Sequence, residues 1–97
     1  MTPEKKVKTK VVAILKELGT YYFYPIAGGY GASGVPDIVG CYKGKFFAIE
    51  CKAGKGKTTA LQDKNIAQII GQGGYAIVVN ESNLEDVNEL LREIERS

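Results

Sequence analysis

Asp37, Glu50 and Lys52 are the residues of this chain whose types and spacing could do chemistry. They lie in GVPDIVGCYKGKFFAIECK, residues 34–52, which reads as two short strands, 37–42 (DIVGCY) and 45–51 (KFFAIEC), joined at Lys43-Gly44. Both runs are rich in β-branched and aromatic residues, and a glycine-containing break separates them. If Tyr42 pairs with Lys45 across a two-residue turn, Asp37 stands directly opposite Glu50. A four-residue loop that pairs Cys41 with Phe46 preserves this register. Only a bulge or an odd loop would send one carboxylate to the other face. Lys52, two residues past Glu50, projects from the same face as both acids. Carboxylates opposed at about 5 Å would repel by about 3 kcal/mol at an effective dielectric of about 20, and a divalent cation is the natural compensation. Mg²⁺ takes one or two carboxylates together with waters and phosphate oxygens, and a nearby lysine can hold an attacking water or stabilise a charged phosphorane. The chemistry implied is phosphodiester hydrolysis.

Pro36-Asp37 followed by Glu50-Cys51-Lys52 resembles the signature of the PD-(D/E)xK nuclease superfamily. With Gly34 ahead of the proline and Gln62 beyond the lysine, the G-V-P-D, E-C-K and Q pattern looks like the VRR-NUC family over nearly the whole chain. That resemblance implies an α/β fold with the restriction-endonuclease-like core, ordered α-β-β-β-α-β-α, its mixed four-stranded sheet flanked by helices. It implies a Mg²⁺- or Mn²⁺-dependent endodeoxyribonuclease in which Asp37 and Glu50 bind the metal, the Cys51 backbone carbonyl adds a ligand, and Lys52 positions or activates water. The resemblance also places Gln62 near the metal, its amide orienting water or phosphate, and asks for an acid from the first helix, Glu4 ahead of Glu17. Small stand-alone proteins similar to this one are homodimeric junction-resolving enzymes, so the expected substrate is a four-way DNA (Holliday) junction. A nonspecific or flap-type nickase is the nearest alternative. A noncatalytic DNA-binding module of the same fold is the rival from another class.

The elements that must position these residues can be read in order. Thr2 is a good N-cap with Pro3 at the first helical position, and Val7, Val11, Ile14, Leu15 and Leu18 recur at helical spacing until Gly19. Glu4, in that first turn, also has a plain role with the helix dipole. Residues 21–26 (YYFYPI) read as the first strand, ending near Pro25. Residues 27–35 (AGGYGASGV) form a glycine-rich loop that delivers the chain to Asp37; Tyr30 could stack on a base and Ser33 could touch phosphate, or be a turn residue. Its formal G-x-G-x-x-G leads into Pro36 and a strand rather than a helix, which excludes a dinucleotide fingerprint. Gly56-Lys57-Thr58 imitates the end of a phosphate-binding loop, but the required first glycine is Cys51. Lys55 and Lys57 more simply grip a DNA backbone near the cleaved phosphate, or are solvated. A second helix spans 59–72, where Thr59 and Gln62 also fit a capping box, the competing reading of that glutamine. Residues 75–80 (YAIVVN) are nearly continuously apolar, as expected of a strand inside the sheet. Ser82 and Glu85 fit a capping box for a third helix with the stripe Leu84, Val87, Leu90, Leu91 and Ile94.

The 97 residues read as one domain, 1–97, with no apolar run long enough to span a membrane and no signal-peptide pattern at the start. Two cysteines and no histidine suit a reducing cytoplasm and exclude histidine-dependent nucleases; the resemblance to small stand-alone nucleases implies that the cell is bacterial or phage-infected. Cys41 and Cys51 should point to opposite faces of the hairpin, away from a disulfide. The net charge of +2 hides an asymmetry: residues 1–80 hold all 11 lysines, and residues 81–97 hold six of the 11 acids. A basic surface around a phosphodiester site would add salt-sensitive affinity for nucleic acid.

Overall fold

The computed structural model describes residues 1–26 and 33–97. The chain runs α1 (Pro3–Glu17), β1 (Tyr21–Phe23), β2 (Ile38–Tyr42), β3 (Lys45–Cys51), α2 (Ala60–Gly71), β4 (Tyr75–Val79) and α3 (Glu85–Arg96). The strands form one mixed sheet in the order β1-β2-β3-β4, antiparallel except for β3 with β4. This is the restriction-endonuclease-like arrangement expected.

The hairpin forms because its turn residues accept left-handed backbone. Lys43 has φ 50° and Gly44 φ 79°, the pair of positive angles that a two-residue type I′ turn requires. Tyr42 therefore pairs with Lys45 and Ile38 with Ile49, and the next step of that register sets Asp37 opposite Glu50. At Gly40 a Cβ would lie 2.1 Å from the Tyr21 carbonyl oxygen and 2.7 Å from the Phe47 ring, so only glycine lets β1 close on β2 at this point.

α1 starts as its cap residues dictate, with the Thr2 hydroxyl accepting a hydrogen bond from the Lys5 amide at 3.2 Å, and it ends ahead of Gly19 at φ 71°. Val7, Val11 and Leu15 turn inward and pack with Val87, Leu90, Leu91 and Ile94 of α3 against one face of the sheet, where Ile38, Tyr42, Phe47, Ile49, Cys51 and Val79 complete the core. The Tyr42 hydroxyl donates to Glu95, tying α3 to the hairpin. α2 lies toward the other face, where Ile69 meets Gly74 and the neighbouring Phe46.

Three expectations about elements are corrected. β1 stops at Phe23 rather than at residue 26, because Pro25 has no N–H to extend the ladder. β4 is an edge strand of the sheet among the described residues, not an interior one. Its run is apolar because α2 and α3 both pack on it, which says nothing about hydrogen-bonded neighbours. The third concerns α3, whose N-terminus carries no capping box: Leu84 is the N-cap and has no side-chain cap bond. Asn83 orders this turn instead, accepting from the Asn80 amide at 2.7 Å and donating to the Val78 carbonyl at 3.1 Å and to Asp86 at 2.9 Å. Local Asx chemistry outcompetes Ser82, whose amide is held by the Asn80 side chain.

Candidate active site

Asp37 lies one residue before β2, and the segment that presents it is clamped to α2. Gly34 has φ 76°, and a Cβ there would fall 2.7 Å from the Leu61 backbone, so the segment touches the first turn of α2 at a place no side chain fits. The Ser33 carbonyl accepts from the Asn65 side-chain amide at 3.3 Å, a second clamp, and Pro36 is buried. Asp37 then reaches across the hairpin, where its Oδ2 accepts a 2.8 Å hydrogen bond from the Cys51 amide. That bond fixes the carboxylate beside Glu50.

Glu50 is 2% exposed, the one charged residue buried among the described residues, and its Oε2 has no hydrogen-bond partner among them. Burial chiefly, then the neighbouring Asp37 carboxylate, push its pKa up to about 8; Lys52 opposes the rise and Glu4 adds to it. The pair thus holds a proton that a cation would replace. Lys52 is half-buried, and its amide donates to the Val79 carbonyl at 2.9 Å, locking the end of β3 to β4. The Cys51 thiol is fully buried, its pKa pushed up to about 12 by desolvation and then by Asp37 and Glu50, so it is no nucleophile.

The remaining sequence candidates separate. Glu4 comes near: with Thr2, Lys5, Lys8 and Asp37 it lines a hollow of about 240 Å³, and its charge is felt at Glu50. Glu17 is at the far end of α1. Among the described residues no three carboxylate or thiol side chains close on one point, so a metal here would rest on Asp37 and Glu50 with backbone and water oxygens. Gln62 is committed to the capping box, its side-chain oxygen accepting from the Thr59 amide at 2.9 Å. Lys55 and Lys57 are exposed on the loop after β3, which Gly54 pins to Glu81 through a 2.6 Å bond. Tyr30 lies outside the described residues. Sequence reasoning missed Lys5 and Lys8 beside Asp37; their signal was helical spacing from Glu4, which places Lys8 one turn along the same face.

No helix among the described residues is long and apolar enough to cross a membrane, and both cysteines are free, Cys41 exposed and Cys51 buried. A search of curated proteins finds no match. A family model described as "Archaeal holliday junction resolvase (hjc)" matches residues 5–90, a span that holds the whole hairpin, Lys52 and most of α1. The family is of the PD-(D/E)xK nuclease type, whereas the narrower VRR-NUC resemblance is not what this comparison finds. Opposed carboxylates at the end of a hairpin, a lysine beside them and this match together place the chain in the archaeal Holliday junction resolvase family, a family of structure-specific nucleases.

Proposed function

We propose that this resolvase hydrolyses phosphodiesters with Mg²⁺ or Mn²⁺ held by Asp37 and Glu50. The observation that carries the reading is the buried Oε2 of Glu50, left without a partner beside a second carboxylate. An orphaned buried acid oxygen is what a ligand lacking its cation looks like, and structural burial alone would not retain it. The Cys51 carbonyl would be the further donor, and Glu4, which lines the hollow beside Asp37, would be the ligand from α1. Bound there, a divalent cation would neutralise the carboxylate pair and polarise the scissile phosphate.

The chain's own residues supply the rest. The Cys51 amide holds Asp37 in one rotamer, so that the acid is preorganised rather than recruited. Lys52 holds the attacking water and stabilises the negative charge that builds as the water oxygen bonds to phosphorus and the sugar oxygen departs. Gln62 keeps the start of α2, and through it the Gly34 clamp, in position; an amide-directed role in orienting water is secondary to this. Lys55 and Lys57, with Ser33 and Tyr30, are proposed to contact the DNA around the cleaved phosphate.

A four-way junction is two-fold symmetric and needs two cuts, so we also propose that the protein works as a homodimer. A two-fold contact buries the same patch of both copies against each other, so a patch without charge avoids repulsion there. The hollow of about 360 Å³ lined by Phe46, Asn65, Gln68, Ile69, Gln72 and Gly74 has no charged side chain and supports that assignment.

The test is cleavage of a labelled four-way junction beside a matched linear duplex, with Mg²⁺, Mn²⁺ or chelator, for the wild type and Asp37→Ala. Paired cuts confined to the junction, dependent on metal and lost in the variant, are expected. Cutting that persists in chelator would refute the metal site. Equal cutting of the two substrates would leave a nuclease without junction preference.

A further inference from the structure

The α1 lysines are not scattered solvation. Lys5, Lys8 and Lys16, with Thr9, Val12 and Tyr24, line a groove of about 540 Å³ along the outer side of α1. Among the described residues every ion pair lies within α3, so none of these lysines has an acidic partner. Three like charges on one groove repel one another, an arrangement that favours a polyanionic occupant. The Lys8 ammonium sits 4.3 Å from the Tyr24 ring centroid, which holds the cation over the groove rather than free in solvent. Lys5 and Lys8 also line the adjoining hollow with Glu4 and Asp37, so the groove opens onto the acidic site.

We propose that this groove is a second DNA-binding site, which takes the sugar–phosphate backbone of the junction arm leading away from the cleaved bond. The proposal rests on the nuclease reading above for its starting point at Asp37. Its length fits: the helix from Lys5 to Lys16 rises about 16 Å, long enough to lie beside several successive phosphates of one strand. The lysines meet phosphates, while Val12 and the Tyr24 ring offer apolar surface to the sugars between them. Contacts of this kind position DNA without reading its sequence, as a junction-directed enzyme requires.

The experiment measures junction affinity across a salt series with catalysis silenced by Asp37→Ala, comparing that background with added Lys16→Ala, Tyr24→Ala or Lys10→Ala. Lys10 carries the same charge on the same helix and does not line the groove. Loss of one phosphate contact should lower the slope of log affinity against log salt by about 0.9 in Lys16→Ala. Tyr24→Ala should weaken binding by releasing Lys8, and Lys10→Ala should leave the slope unchanged. Shortening the junction arms until they no longer reach Lys16 should erase the Lys16→Ala difference. Equal effects of Lys16→Ala and Lys10→Ala would mean diffuse charge and overturn the groove, as would an unchanged slope in Lys16→Ala. Failure of the nuclease reading would appear separately, as absent cleavage by the wild type.

Discussion

Replacing Glu50 with glutamine should stabilise the metal-free protein, and by more as pH rises. The Glu50 carboxyl titrates at about 8 in the fold, against an ordinary value of 4.5. Between those values the folded chain keeps a proton that the unfolded chain has released. The contribution is therefore complete below about pH 4.5, falls as pH rises, and is gone once pH passes about 8. At about 1.36 kcal/mol per unit, the wild type should lose about 3 kcal/mol from this group by about pH 7 and about 5 kcal/mol by about pH 9. That is a large share of the roughly 5–15 kcal/mol that holds a domain together. Glutamine keeps the shape of the side chain and has nothing to titrate. Urea unfolding in chelator at several pH values should show the wild type weakening while Glu50→Gln stays nearly level. Mg²⁺ should restore the wild type at high pH and leave the variant unmoved. A stability gap that stays constant across this pH range would refute the reasoning, because it would mean Glu50 titrates in the fold as it does in the unfolded chain.

Asp37→Ala should abolish junction cleavage while junction binding persists in a gel-shift assay; retained cleavage would remove Asp37 from the site. Gly40→Ala should destabilise by more than about 2 kcal/mol in chemical denaturation, because its methyl must displace either the Tyr21 carbonyl or the Phe47 ring. Asn83→Ala should cost about 1–2 kcal/mol by the same measurement, since it removes the side-chain bonds that organise the β4–α3 turn. Phe46→Glu should shift sedimentation from dimer to monomer if the neutral hollow is the contact between copies, with no change expected if that contact lies elsewhere.

The hairpin was legible in the sequence because its information is local. Lys43-Gly44 specifies the turn, the turn specifies the register, and the register alone brings Asp37 to Glu50. The Thr2 and Thr59 caps were legible for the same reason, each set by residues within one helical turn. What could not be read depends on distant partners. Nothing local to Val78 says whether another strand pairs beyond it, so β4 looked interior when it is an edge. Ser82 carries a valid cap signal that failed because the Asn80 side chain already holds the Ser82 amide. The hold of the Cys51 amide on Asp37 escaped notice because the sequence shows a side chain, and here the main chain acts. Lys5 and Lys8 join the site only through the docking of α1 against the sheet, a contact no spacing within the hairpin encodes.

The opposite facing of the two cysteines gives the protein a built-in chemical footprint. Cys41 is exposed and should react with an alkylating reagent from the native state, while Cys51 lies directly beneath the carboxylates, fully shielded and protonated. Alkylation of Cys51 therefore requires the strand that carries Glu50 to come away from its neighbours. The ratio of the two labelling rates would time the opening of the hairpin against an internal clock, and its change on adding metal or a junction would say how firmly each ligand holds that strand shut.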